Sequence, residues 1–133
     1  MTERFRKGSG ALFSSESLRP PFGAVFEEEG GVAYLYACDL TESTSQILDA
    51  VLVYQVDTSA IAIRDSEARI MWTSDGLKAG LFLDERLEAT IDFENRTASS
   101  RTNYPPPSGP WSGRSRPSWS ESLSELFWSP HVG

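Results

Sequence analysis

The segment "WTSDGLKAGLFLDERLEATIDFEN", residues 72–95, decides the fold class of this chain. Its apolar residues alternate with polar or small ones, a period of two that puts successive side chains on opposite faces of a β-strand. The alternation is interrupted at Asp75-Gly76 and at residues 84–86. Asp-Gly is a strong hairpin signal, because a type I′ turn needs positive φ at both central residues. The segment therefore predicts antiparallel strands joined by tight turns.

The acidic residues of this segment follow the same alternation. Glu88, Asp92 and Glu94 fall between the apolar residues of the last predicted strand. In a half-buried antiparallel strand, the polar side faces water. We therefore expect these carboxylates to lie on the solvent side of a sheet and not in a reaction centre.

The alternation extends outward from this segment, from Phe22 to Phe93. In the predicted strand Ile47–Val56, we expect Leu48, Ala50 and Leu52 to share one face with Tyr54 and Val56. For the apolar patch Ala60–Ile63, the pattern does not distinguish a short edge strand from a packed loop. Residues 96–102 are compatible with one more short strand. The predicted strands are Phe22–Phe26, Val32–Cys38, Ile47–Val56, Ala68–Thr73, Leu77–Leu83 and Leu87–Phe93.

Beyond Asn95 the composition changes. Residues 103–110, "NYPPPSGP", have too few backbone N–H groups for a sheet centre and predict a rigid connector. Helical spacing of Trp119, Leu123, Leu126 and Phe127 predicts one short helix with Ser120 as its N-cap.

The predicted fold is mainly β. We expect an antiparallel meander sheet, sandwich-like or strongly curved, of about six or seven strands, covered by a Pro/Trp-rich C-terminal segment and one short C-terminal helix. The predicted organisation is a flexible N-terminal segment at 1–17, a single β-rich domain at 18–128 and a C-terminal tail at 129–133.

Charge is placed unevenly along the 133 residues, whose net charge is −7. Residues 16–94 carry five basic and sixteen acidic side chains, and both flanks are weakly basic. An acidic body is a poor match for nucleic acid and suits a basic partner. The chain shows no signal peptide and no apolar run long enough for a bilayer, so we expect a cytoplasmic protein without membrane contact.

Candidate catalytic groups are few. The single histidine, His131, lies near the C-terminus, and the single cysteine, Cys38, excludes an internal disulfide. A histidine-based relay and a zinc site are therefore not expected, and we predict no metal and no cofactor. Asp49 interrupts an apolar strand. Three positions of its side chain remain open: buried in the core, facing solvent, or paired with an arginine such as Arg69 or Arg101.

Two other patterns leave alternatives open. The acidic run Glu27-Glu28-Glu29 with Asp39 has oxygen ligands for calcium, but its spacing fits no known calcium loop and a solvated turn is the better interpretation. For the Trp/Arg-rich residues 111–119, three roles remain open: a lid on the sheet, a protein contact, or a site for single-stranded nucleic acid. The negative charge of residues 16–94 disfavours the nucleic-acid site.

Five stretches carry a resemblance to a known family: "FGAVFEEEGGVAYLYACD", "ILDAVLVYQV", "MWTSDGLKAGLFLD", "ATIDFEN" and "RTNYPPPSGPW". In this order, over residues 22–111, they resemble a bacterial family of small proteins catalogued as domain of unknown function 2251. Thr73 stands where the family motif "WSxDGxKA" is expected to have Ser. The resemblance identifies no catalytic residues. By analogy, it implies a role like that of the immunity proteins of toxin systems.

We therefore expect a protein-binding module of immunity or antitoxin type, with a cognate toxin of basic surface as its partner. Its predicted partner-binding residues, in acidic loops, are Glu27, Glu28, Glu29, Asp39 and Glu42. The alternative is a small-molecule binder or enzyme with a pocket between the sheet and the Pro/Trp-rich segment, lined by Asp49, Arg101, Tyr104 and Trp111. An interaction subunit of another kind and a homodimer through an uncovered strand also remain open.

Overall fold

The chain folds into two antiparallel β-sheets in a computed structural model that describes residues 2–41, 46–56 and 65–127. One sheet has five strands in the order β1-β6-β7-β8-β9, and the other has four in the order β2-β3-β4-β5. The mainly β antiparallel prediction is confirmed, with more strands than the six or seven expected. The strands are β1 (Thr2–Phe5), β2 (Ala11–Glu16), β3 (Phe22–Glu29), β4 (Val32–Asp39), β5 (Gln46–Gln55), β6 (Ser66–Trp72), β7 (Lys78–Leu83), β8 (Arg86–Asp92) and β9 (Thr97–Ser100).

The N-terminal residues provide two of these strands, so the predicted flexible segment at 1–17 is wrong. β1 pairs with β6 in one sheet, and β2 pairs with β3 in the other. Gly8 and Gly10, in the turn between β1 and β2, have φ values of 94° and 91°. Strands of four and six residues with polar ends give too short an alternation to be recognised.

The two sheets share one hydrophobic core of mainly aliphatic side chains, within which aromatic rings make contacts between the layers. Phe26 of the four-stranded sheet has its ring centroid 5.5 Å from that of Phe5 of the five-stranded sheet. Phe22 of β3 and Phe93, the residue that follows β8, stack with centroids 4.5 Å apart. Such pairs contribute about 0.5–1.5 kcal/mol each beyond the area they bury. Inter-sheet aromatic contacts therefore hold the layers together.

The hairpin between β6 and β7 is confirmed, but its turn differs from the prediction. Only Gly76 has positive φ, and the Asp75 carboxylate accepts hydrogen bonds from Leu77 N at 3.0 Å and Thr73 Oγ1 at 2.7 Å. Asp84 and Glu85, between β7 and β8, have φ values of 50° and 69°. Two consecutive residues with positive φ, expected at Asp75-Gly76, are thus found in the next turn, at Asp84-Glu85.

Strand β5 does not follow the simple alternation predicted for it. Its pairing with β4 shifts between Ala37 and Cys38, and again between Ala33 and Tyr34. An extra residue in a strand re-aims the side chains that follow it. Val51, which simple alternation would place on the face opposite to Leu48 and Tyr54, therefore lies with both in the core and is fully buried.

A C-terminal arm, residues 101–127, first runs along β5, where Leu52 N donates a hydrogen bond to the Tyr104 oxygen, and its residues 117–127 then lie over the outer face of the five-stranded sheet. Gly80 and Phe82 of β7 are buried there beside Phe127. The predicted short helix is the 3-10 helix Glu121–Leu126, and its predicted cap is confirmed because Ser120 accepts a hydrogen bond from Ser122 N. A second 3-10 turn spans Gly109–Trp111.

Some predicted features lie outside the described residues, namely the patch Ala60–Ile63, Glu42 and His131. Within the described ranges, the helices are short 3-10 segments, and none has the length and apolar content needed to cross a bilayer.

Candidate protein-binding face

The outer face of the four-stranded sheet carries exposed apolar, aromatic and acidic side chains together. Residues that pair across an antiparallel ladder point to the same side of the sheet. Glu27 pairs with both Leu12 and Tyr34, and Val25 pairs with Tyr36. We define the acidic face as Leu12, Glu16, Val25, Glu27, Glu29, Tyr34, Tyr36, Cys38 and Ile47.

The acidic face has no basic counterpart within its own sheet. Strands β2 to β5 contain no Lys and no Arg. The salt bridges among the described residues include none of Glu16, Glu27 and Glu29. The negative charge of this face is therefore left for solvent or a partner to balance.

Tyr36 and Glu27 form the polar centre of the face. The Tyr36 hydroxyl donates a hydrogen bond to Glu27 Oε1 at 2.9 Å. Burial, this bond and the neighbouring negative charges raise the pKa of Tyr36 to about 12. The rings of Tyr34 and Tyr36 stack with centroids 6.0 Å apart. At neutral pH the pair is thus an uncharged phenol beside a carboxylate that retains acceptor capacity.

Two large aliphatic side chains stand exposed on the same face. Leu12 is 68% exposed and Ile47 is 53% exposed. They border a shallow depression of about 250 Å³, whose lining includes Val25 and Cys38. Burial raises the pKa of the Cys38 thiol, so the thiol stays neutral. The lining of the depression is mostly apolar, and it includes the carboxylate of Glu27.

Glu28 does not belong to this face, although it was predicted as a partner-binding residue. It points into the molecule, is 2% exposed, and accepts hydrogen bonds from Gly8 N, Gly10 N and the Tyr54 hydroxyl. The run of three glutamates ends strand β3 instead of forming a loop, because alternation sends Glu27 and Glu29 outward and Glu28 inward. Glu28 therefore holds the β1–β2 turn.

The other predicted acidic residues lie at the end of β4 or beyond it. Asp39 closes the strand, and its carboxylate accepts hydrogen bonds from Thr41 N at 2.9 Å and from the Thr41 hydroxyl. This local turn orders the chain next to the acidic face. Glu42 lies outside the described residues.

Asp49, a predicted pocket residue, is buried in an ion pair with Arg116. Their side chains are 1% and 5% exposed, and Arg116 Nη1 and Nη2 donate to the two Asp49 oxygens at 2.8 and 3.0 Å. Arg116 also donates to the backbone oxygens of Ala50, Ala98 and Pro105. All five guanidinium N–H donors are thus satisfied. The pair joins β5 of one sheet to β9 of the other.

The remaining predicted pocket residues also have structural partners. Arg101 binds Glu121 through two nitrogens, one at 2.8 Å, and lies 5.2 Å from the Trp119 ring centroid. Trp111 is buried against Phe93, whereas Tyr104 is 56% exposed and its backbone oxygen accepts from Leu52 N. The structure therefore does not bring these residues together around one cavity.

A cleft does lie between the arm and the five-stranded sheet, with a different lining. Its volume is about 160 Å³. Its floor carries the buried hydroxyls of Thr90 and Ser99, 3.0 Å apart, and its apolar walls include Leu123, Leu126 and Phe127.

Sequence reasoning missed Arg116, Leu12 and the role of Tyr36. Arg116 gives no local signal, since its partner Asp49 lies 67 residues away. Leu12 was placed in a flexible segment. The alternation of Val32–Cys38 could have indicated Tyr36, because it puts the two tyrosines on one face and Leu35 on the other.

Among the described residues, no group of three or more His, Cys, Asp or Glu side chains is placed to hold a metal ion.

Comparisons with known proteins give a family and one curated relative. Residues 5–128 match the model of a bacterial family, domain of unknown function 2251, described as an uncharacterized protein conserved in bacteria. An uncharacterized protein of Haemophilus influenzae (strain ATCC 51907 / DSM 11121 / KW20 / Rd) is 29% identical over 86 residues, which cover 65% of this chain and 53% of the relative. The match thus spans about half the length of that relative. No solved structure matches the chain.

Proposed function

The chain belongs to the bacterial family catalogued as domain of unknown function 2251, and from that premise we propose that it is a protein-binding module whose acidic face docks on a basic surface of a partner protein. The observation that carries the proposal is the charge of the four-stranded sheet, whose strands contain acidic residues and no Lys or Arg.

The chemistry of the face supports this role. Protein interfaces combine an apolar centre with a polar rim, and tyrosine is frequent among the residues that dominate their binding energy. The face has exposed Leu12 and Ile47, two stacked tyrosines, and carboxylates beside them. Unneutralised carboxylates also speed the approach of a basic partner and reject acidic ones.

The proposed partner is a toxin with a basic surface, which makes this chain an immunity or antitoxin protein of the cytoplasm. The net charge of −7 and the acidic face support a cationic target. The analogy with small acidic immunity proteins supports the class of partner.

The product of the neighbouring reading frame is the partner to test. We expect the two proteins to co-purify after co-expression, and E27K/E29K to slow their association about tenfold at low salt, since rim charges act mainly on the association rate. Glu28 stays unchanged because it is buried.

A matched control is E85K/E125K, which changes the net charge equally at two exposed residues away from the four-stranded sheet. Failure to co-purify would contradict the toxin partner. Equal slowing by both double variants would contradict the acidic face as the docking site.

The cleft beneath the arm supports a second candidate function, the binding of a small ring-sized molecule. Its volume of about 160 Å³ resembles that of apolar cavities of roughly 150 Å³ that bind benzene. Fragment titration followed by NMR tests it: saturable shifts at Thr90 and Ser99 that disappear in L123W, which fills the cleft, support this function. Absence of saturable shifts across such fragments contradicts it.

A further inference from the structure

The depression on the acidic face has the shape of a site for one long side chain. Its volume is about 250 Å³, and it is open to solvent between Leu12 and Ile47. Acidic and aromatic groups occur together in its lining, which is otherwise apolar. The lining residues are Leu12, Val25, Glu27, Tyr36, Cys38 and Ile47.

The polar part of the depression is suited to a cation. Glu27 Oε1 accepts a hydrogen bond from the Tyr36 hydroxyl, and an ionised carboxylate has about four acceptor positions, so most of them stay available. The charge of Glu29 adds to that of Glu27 around Tyr36. Strands β2 to β5 supply no basic side chain to occupy this position.

The apolar part of the depression is suited to a hydrocarbon stem. Leu12 and Ile47 stand on either side of it, and Val25 and Tyr36, which pair across β3 and β4, lie between them. Lys and Arg side chains cover apolar surface with their methylene groups while their charged ends reach a polar partner. A long basic side chain therefore matches both parts of the depression.

We propose that the depression binds an arginine side chain of the basic partner protein, an inference that rests on the proposed function. The guanidinium group forms paired hydrogen bonds with Glu27 and stacks on the Tyr36 ring. Arginine is selected over lysine because its planar group fits a carboxylate through two parallel bonds and stacks on aromatic rings, whereas an ammonium group is a compact, strongly hydrated charge.

The test is a titration of the isotope-labelled protein with N-acetyl-arginine amide, followed by NMR. N-acetyl-citrulline amide, of similar shape and no charge, and N-acetyl-lysine amide serve as comparison probes. We expect saturable shifts at Val25, Glu27, Tyr36 and Cys38 with a dissociation constant on the order of 10 mM, and at least about fivefold weaker binding of the other two probes.

Variants separate the carboxylate from general charge effects. E27Q should weaken arginine amide binding about fivefold or more, and E85Q, in the β7–β8 turn, should leave it unchanged. Equal binding of citrulline amide, equal binding of lysine amide, or no saturable shift at these four residues would each overturn the arginine site.

The test also distinguishes this inference from the proposed function. If arginine amide does not bind but E27K/E29K still slows association selectively, the arginine site is wrong and the protein-binding face stands. If arginine amide binds but the neighbouring protein associates equally with all charge variants, the site stands alone and the proposed function is wrong.

Discussion

The two sheets differ in how they balance charge. The strands of the five-stranded sheet contain four basic and four acidic residues, and those of the four-stranded sheet contain none and six. On the five-stranded sheet, Lys78 lies 3.9 Å from Asp92 and Arg86 lies 3.8 Å from Glu88. On the other sheet, Glu28 and Asp49 are buried, Asp39 ends β4, and Glu16, Glu27 and Glu29 lie on the acidic face. One sheet is neutralised internally, and the other presents its charge to the surroundings.

The sheets also differ in what covers them. Residues 117–127 of the C-terminal arm lie on the outer face of the five-stranded sheet, where Glu121 binds Arg101, which also pairs with Glu88 of β8, and where Phe127 lies against Gly80. The acidic face has exposed Leu12 and Ile47 instead. The chain thus covers the outer face of one sheet with its own C-terminal segment and leaves large apolar side chains of the other exposed.

The largest effect is expected from R116M, which removes the link between the sheets. The substitution leaves the Asp49 carboxylate buried without its cation and removes the hydrogen bonds that Arg116 donates to three backbone carbonyl groups. Breaking a buried pair in this way costs about 3–5 kcal/mol. Urea unfolding should show this loss of unfolding free energy, whereas R114M, at an exposed arginine, should stay within about 0.5 kcal/mol of wild type. A small loss in R116M would contradict the linking role.

A smaller effect is expected from G80A, which disturbs the cover of the five-stranded sheet. A Cβ at this position would lie 2.7 Å from Phe127 Cε2, so the ring must move. Overpacking of this kind costs about 1–3 kcal/mol. In the F127A background the same substitution should cost nothing or stabilise slightly, because alanine restricts the unfolded chain. Equal costs in both backgrounds would show that Phe127 does not lie on Gly80.

On the acidic face, a pH effect is expected from Tyr36. Its pKa is raised from 10.0 to about 12, so folding favours the neutral phenol. The stabilisation is fully present below pH 10 and is lost as the pH rises from 10 to 12. The free energy of unfolding should therefore fall between pH 10 and pH 12, and less steeply in Y36F. Identical pH dependence in both proteins would contradict the Tyr36–Glu27 contact.

The smallest effects are expected from neutralising single acids on the two sheets. D92N removes an ionic partner of Lys78 and should cost about 0.5–1 kcal/mol. E29Q neutralises a carboxylate that forms no salt bridge among the described residues. It should change the free energy of unfolding by less than about 0.3 kcal/mol. Thermal or urea unfolding at low and high salt measures both. A larger loss in E29Q than in D92N would reverse the comparison.

The sequence predicts the central strands well because their alternation is long and their turns contain Gly or Asp. β3, β4, β7 and β8 lie within or close to the predicted strands. β1 and β2 were missed because they are short and partly polar, and because β1 pairs with β6, which is distant in sequence. The bulges in β5 were missed for a related reason, since they depend on the β4 register.

The candidate site was only partly predictable. The acidic character of the chain was visible, and alternation along β3 could have separated inward Glu28 from outward Glu27 and Glu29. The pairing of Asp49 with Arg116 and the seating of Phe127 on Gly80 depend on the return path of the arm. No local sequence pattern predicts that path, because the composition of a Pro-rich connector determines how stiff it is but not which way it runs.

The most direct test of the account is carbodiimide labelling of carboxyl groups, read by mass spectrometry, in the protein alone and bound to the product of the neighbouring reading frame. In the protein alone, Glu16, Glu27 and Glu29 should react, and buried Glu28 and Asp49 should not. In the complex, the labelling of the first three should be strongly suppressed, while Glu85 and Glu125 keep their reactivity. Suppression at Glu85 and Glu125 with an unchanged acidic face would contradict the account.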